Sequence, residues 1–135
     1  MADRVHKVSY CNTTVSSRPG QGARVLAELK DEGVDMMAFS GFPAKGGKSQ
    51  LDFITANLAG VRRVAKRNGW RLGKTKKGFL IDALGAVHRH IQKLADRKIN
   101  ITAADAVCAG KGRYGMILWV KPKDYARAAR TLKAK

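Results

Sequence analysis

Serine, cysteine, histidine and carboxylate side chains are the groups that could carry reaction chemistry here, and their spacing does not assemble them. Ser16, Ser17, Ser40 and Ser49 stand outside any Gly-x-Ser-x-Gly turn of the kind that lifts a nucleophile above a sheet. Lys45-Gly46-Gly47-Lys48-Ser49 has the residue types of a phosphate-binding loop but is too short to be one. Carboxylates are scarce, with 10 Asp+Glu against 27 Lys+Arg, so the acid pairs of general acid–base catalysis have little to be built from. Cys11 and Cys108 are the only cysteines; without a CxxC spacing they read as small buried hydrophobes. His88 and His90 are two residues apart on a helical stretch, where side chains diverge by roughly 200°, and His6 has no evident partner. These residues predict a protein that is not an enzyme and holds no metal and no cofactor.

The cations are the louder signal. The formal net charge is +17, and Arg62, Arg63, Lys66 and Arg67 stack at i,i+4 spacing, followed by Arg71, Lys74, Lys76 and Lys77 with no acid between. Like-charge i,i+4 pairs cost about 0.2–0.5 kcal/mol each in isolated helices. Such a ladder is tolerated when solvated and useful when a polyanion docks on it, which keeps nucleic acid as the alternative partner. An RNA-recognition motif would place stacking aromatics along its third strand. Gly112-Arg113-Tyr114-Gly115-Met116-Ile117-Leu118-Trp119 keeps Tyr114 and Trp119 but has Met116 where the second platform should sit. The longest apolar runs are too short to cross a bilayer, and the first residues lack the apolar core of a secretory signal. A cytoplasmic location and no membrane partner are the expectation.

The elements that must position any site form an internal repeat. Displaced by 65 residues, the chain aligns on itself without a gap from Gly20 to Thr55: Gly20 falls on Gly85, Arg24 on Arg89, Leu29 on Leu94 and Phe53 on Leu118. The first copy predicts a strand over 5–15, a turn at Ser16–Gly20, a helix over 23–32, a hairpin of strands over 34–42 and 49–55, and a second helix over 58–67. A short closing strand over 70–75 completes it. The second copy predicts a strand at 79–81, a helix over 84–97, a hairpin of strands over 99–109 and 114–120, and a last helix from about Lys123. Repeat 1 then spans residues 1–76 and repeat 2 residues 77–135, the second lacking its own final strand. An open sheet edge is a pairing liability, so either repeat 1 or a second subunit is expected to cover it.

The stretch Arg18-Pro-Gly-Gln-Gly-Ala-Arg-Val-Leu-Ala-Glu-Leu-Lys-Asp-Glu-Gly-Val-Asp-Met resembles the signature of ACT domains, a polar residue before R-P-G, a helix, then G-[VI]-N. Asp82-Ala-Leu-Gly through Lys98-Ile-Asn-Ile resembles it again. The resemblance covers nearly the whole chain. It implies an α+β, ferredoxin-like βαββαβ fold in two tandem ACT-like repeats, an antiparallel sheet with helices on one face. It also implies a regulatory protein that senses a small ligand, an amino acid, and that works as a homodimer.

The resemblance assigns the ligand residues by position. The polar residue before the glycine loop falls on Ser17 and Asp82, the loop glycines on Gly20 and Gly85, and the Asn of G-[VI]-N on Asp35 and Asn100. Repeat 2 keeps the Asp82/Asn100 polar pair and is the site preferred on sequence. The alternative nucleic-acid surface comprises Arg62, Arg63, Lys66, Arg67, Arg71 and Lys74.

Overall fold

The computed structural model describes residues 3–85 and 88–135. It forms two compact units, Ser9–Lys76 as the first and Met1–Val8 with Lys77–Lys135 as the second.

The first unit comprises the later part of strand β1 (Arg4–Ser16), helix α1 (Gln21–Asp31), strands β2 (Ala38–Ala44) and β3 (Lys48–Ile54), and helix α2 (Leu58–Asn68). Its strands lie in the order β2-β3-β1 and are antiparallel, Ala38 and Tyr10 both opposite Ile54 and Ala44 and Ser16 both opposite Lys48. The β2–β3 turn needs two left-handed residues, and Gly46 and Gly47 supply them at φ of 73° and 66° without a Cβ penalty. Alternate strand residues, Cys11, Leu51 and Phe53, form one core with Val25 and Leu29 of α1 and Val61 and Val64 of α2. Both helices of this unit therefore cover the same sheet face. The Asn57 side chain caps α2, accepting from the Gly60 N–H at 3.0 Å. Gly60 also lets the helix close on the core, since a Cβ there would stand 2.7 Å from Val34 Cγ2.

The second unit repeats the plan with β4 (Lys76–Leu84), α3 (His88–Asp96), β5 (Ile101–Cys108), β6 (Arg113–Val120), a single 3-10 turn at Pro122–Asp124, and α4 (Tyr125–Leu132). The strand order is β4-β6-β5, antiparallel throughout. Phe79, Ile81 and Leu118 pack on Leu94 of α3 and on Ala128 and Leu132 of α4. The predicted start of α3 runs across residues 86 and 87, which lie outside the described residues.

Several sequence expectations need correction. The strand over 34–42 begins only at Ala38, because Val34 first closes the end of α1 by donating its N–H to Leu29 O. No closing strand forms over 70–75. That segment is tied to β1 by a single backbone bond, Gly73 N–H to Asn12 O at 2.8 Å, and by Thr13 Oγ1 donating to Arg71 O at 2.9 Å. Two isolated bonds hold the chain alongside without building a ladder. The position that the second copy leaves open is met by the start of β1. Val5 sits in the second core, and the Lys7 N–H and Val5 O bond to Lys135 O and N–H. Cys108 is exposed while Cys11 is buried, since β5 is exposed along nearly its whole length.

The repeat also shifts at one place. Hairpin residues match at a spacing of 65, but the strands feeding the first helices match at 68: Ser16 pairs with Lys48 and Leu84 with Arg113. The same bond confirms it, Ser17 N–H to Gly47 O in one unit and Gly85 N–H to Gly112 O in the other. In the sheet, Gly85 thus takes the place of Ser17, and Asp82 lies within a strand.

Candidate ligand-binding site

In the first unit the chain leaves β1 at Ser16 and turns through Arg18-Pro19 to Gly20, which takes φ of 89° before α1 starts. A left-handed residue at that point brings the chain sharply into the helix, and glycine adopts it without strain. No side chain caps α1 and no acid stands in its first turn, so its leading N–H groups carry an uncompensated partial positive charge. The Ser17 N–H is spent on Gly47 O at 2.9 Å, and Ser49 Oγ donates to Ser17 Oγ at 3.3 Å. Around this loop lies a cleft of about 400 Å³, lined by Ser17, Arg18, Gln21, Phe42, Ser49 and Leu51 among others. Its chemistry is that of a carboxylate receptor with an apolar wall. The Arg18 guanidinium and the helix N-terminus suit an anion, Phe42 and Leu51 an apolar stem, and the hydroxyls a donor group.

The other assigned residues are distributed differently. Asp35 is exposed at the far end of β2, its carbonyl accepting from Thr55 Oγ1 at 2.6 Å. Six residues of strand separate the two ends of β2, so Ser17 and Asp35 stand roughly 20 Å or more apart within the unit. The second unit separates its own pair likewise. Asp82 lies opposite Gly115, as does Val107 of β5, whereas Asn100 precedes Ile101 at the other end of that strand. The structure does not bring Asp82 and Asn100 together in one unit. It also gives Asp82 a partner that the sequence did not announce, Arg113, whose Nη2 and Nε donate to Oδ1 at 2.6 and 3.1 Å. Nothing in the sequence pairs Arg113 with Asp82, because the two lie 31 residues apart and meet only where β4 pairs with β6. Phe42 was missed because an exposed aromatic on an edge strand has no periodic signature.

The basic stretch is partly neutralised. Arg63 and Arg67 both pair with Glu32, at 3.1 and 3.0 Å, and hold its carboxyl below the ordinary range through Arg67 first and Arg63 second. Arg62 donates to Thr75 Oγ1 at 3.0 Å. Lys66, Arg71 and Lys74 are exposed and form no ion pair among the described residues. Trp119 and Met116 are buried, which leaves half-buried Tyr114 as the one platform of the RNA-recognition pattern on β6. No helix among the described residues is long and apolar enough to cross a membrane, and no cluster of metal-ligating side chains occurs among them.

No protein-family model matches the sequence. No curated protein matches it either. Solved structures do match the fold. Protein BT0572 from Bacteroides thetaiotaomicron superposes with a TM-score of 0.77 at 13% identity, over 97% of this chain and 88% of that one. The regulatory subunit of aspartate kinase from Thermus thermophilus, in its ligand-free form, superposes at 0.60 with 16% identity, over 98% and 93% of the two chains. The corresponding subunit from Thermus flavus gives 0.59 at 17%, over 98% and 94%. The chain therefore has the tandem ACT-like fold of aspartate kinase regulatory subunits. Matches of this kind cover almost the full length of both partners.

Proposed function

We propose that this protein is a non-catalytic sensor that binds an amino acid in the first unit, at the cleft over Ser17–Gly22. The observation that carries the reading is the uncapped, acid-free start of α1 behind left-handed Gly20, with Arg18 and the apolar Phe42 beside it. A free carboxylate there would meet the N–H groups and a guanidinium at once, and the cleft volume suits a ligand of that size. The fold shared with regulatory subunits of aspartate kinase supports a regulatory role. In the second unit Asp82 is paired with Arg113 and Asn100 stands at the other end of β5 from it, so the first unit is the stronger site. Exposed β5, carrying Val107 at 67% exposure, favours assembly of two copies through that edge.

A nucleic-acid reading rests on Lys66, Arg71 and Lys74 having no ion pairs, with Arg62 held only by a hydroxyl. One thermal-shift experiment addresses both. Each of the twenty amino acids, and separately a short DNA duplex, is added at low and moderate salt. One amino acid is expected to raise the melting temperature by several degrees, and Arg18→Ala to abolish that shift. Silence from every amino acid, with a salt-sensitive shift from the duplex, rejects the sensor in favour of the basic surface.

A further inference from the structure

The second unit contains a cleft of about 490 Å³ between the start of β1, the end of β4, α3 and the C-terminal end of α4, lined by Asp3, Leu84, Arg89, His90, Lys93 and Lys133 among others. We propose that this cleft binds a phosphate group, free or carried on a small molecule, through the ammonium groups of Lys93 and Lys133.

The first observation is a polar residue where the repeat has an apolar one. Val25 belongs to the first core, and 65 residues on stands His90, only 4% exposed. Its Nε2 lies 2.9 Å from Asp3 Oδ2, and its Nδ1 is buried with no partner among the described residues. A valine would pack there without leaving a nitrogen unsatisfied, a cost that the histidine carries and a plain core residue would not. What it does is hold Asp3.

The second observation is the charge balance. Among the described residues Asp3 is the only acid lining the cleft, and both its oxygens accept hydrogen bonds. Oδ1 accepts from the Leu84 N–H at 3.3 Å, and Oδ2 from Arg89 Nη2 at 2.9 Å and from the His90 ring. Burial pushes its carboxyl up, but the His90 bond, the Leu84 N–H and Arg89 outweigh this and hold it below the ordinary range. Arg89 is committed as well, to Asp3 and to Leu84 O at 3.0 Å. Lys93 and Lys133 remain with no ion pair among the described residues, an excess of two positive charges at one cleft.

The third observation is Lys133 itself. It closes α4 at φ of 55°, a left-handed conformation in which side chains other than glycine and asparagine are strained. The corresponding cap of α2 is Gly69. The backbone cost places a lysine in the lining of the cleft. Two ammoniums acting as point charges suit the spread charge of a phosphate, whereas the Nη2 of Arg89, one tine of the fork that suits a carboxylate, is held by Asp3 and Leu84 O. The site lies in the other unit from the amino-acid cleft and stands or falls without it.

Calorimetric titration of the full chain at fixed ionic strength tests the proposal, with inorganic phosphate, glycerol phosphate, succinate and extra chloride as probes. Saturable binding of phosphate or its ester is expected. Lys93→Gln and Lys133→Gly are each expected to weaken it about tenfold or more, as loss of a charged hydrogen bond does. Because glycine relieves the strain at 133, Lys133→Gly should melt at or above the wild-type temperature, so its loss of binding cannot come from unfolding. Preference for the ester identifies a carried phosphate, and binding of inorganic phosphate alone a free one. No saturable binding, succinate binding equal to phosphate, or both variants binding like the wild type overturns the site. Arg18→Ala, which tests the amino-acid cleft, should leave phosphate binding unchanged.

Discussion

The two units share a framework and differ where a ligand would meet it. Hairpin registers recur at one spacing, while the strand leading to the first helix shifts by three residues. In the first unit those residues form an open loop whose helix start is uncapped and beside a cleft. In the second they are absorbed into β4, where Asp82 is paired with Arg113, and Asp3 and His90 form a polar cluster on the helix side. Duplicated folds can hold their packing constant because the core tolerates few changes, whereas a loop outside the ladder is free to change length. The difference teaches that the copies have separated in the loops and polar groups around their clefts rather than in how they fold.

Truncating the two cores sharpens this comparison with the largest effect. Phe53 and Phe79 are both fully buried, and Phe→Ala in a core costs about 3–5 kcal/mol. Phe79 stacks nearly parallel on Tyr125, with centroids 4.6 Å apart, whereas Phe53 meets Phe39 at 6.2 Å. Phe79→Ala is therefore expected at the upper end of that range and Phe53→Ala nearer the lower end. Urea unfolding followed by far-UV circular dichroism measures both, and an inverted order would mean that the Tyr125 stack adds nothing to the second core.

Asp3→Asn probes the polar cluster peculiar to the second unit. The substitution weakens charged hydrogen bonds to Arg89 and His90 at a site bordering solvent, for an expected loss of about 1–2 kcal/mol near neutrality. The pH dependence has a fixed sign. The folded-state pKa of Asp3 is lowered from the usual 3.8, so its stabilisation is complete above that value and is lost as pH falls through the folded value. The gap between wild type and Asp3→Asn should persist at pH 7 and pH 5 and narrow below about pH 4. A gap independent of pH would mean that the carboxylate charge contributes nothing.

The sequence made the framework legible because it is periodic. The spacing of Leu29 and Leu94, of Phe53 and Leu118, and the glycine pair at 46 and 47 follow from burial and turn sterics. Irregular backbone was not legible. Residues 70–75 have strand composition but form only isolated bonds, and 34–37 close a helix before the strand starts. The site was legible only as a loop. Gly20 announces the left-handed turn, yet nothing in a string of residues shows that three residues of the second loop join the ladder, or that Asp82 and Asn100 sit at opposite ends of their strands. His90 was visible as a histidine one helical turn before Leu94, but its partner Asp3 lies 87 residues away.

The smallest predicted effect concerns the helix ends. Where the first unit closes α1 and α2 with Gly33 and Gly69 at φ of 85° and 70°, the second has Lys98 and Lys133 at 57° and 55°. Left-handed backbone costs an ordinary side chain about 1 kcal/mol relative to glycine, offset in part by placing a cation at a helix C-terminus, worth about 0.3–1 kcal/mol at low salt. Lys98→Gly should therefore stabilise slightly, by up to about 1 kcal/mol, and more at high salt, where the charge is screened. Gly33→Lys, with no neighbouring atom within 4 Å of its added Cβ, should destabilise by a similar amount through backbone strain alone. Paired chemical denaturation of the two variants at low and high salt measures the exchange. Equal and opposite changes would show that the two caps are interchangeable. A loss of stability in Lys98→Gly would mean that the lysine makes a compensating interaction at its helix end, and the second unit would then differ from the first in its framework as well as in its sites.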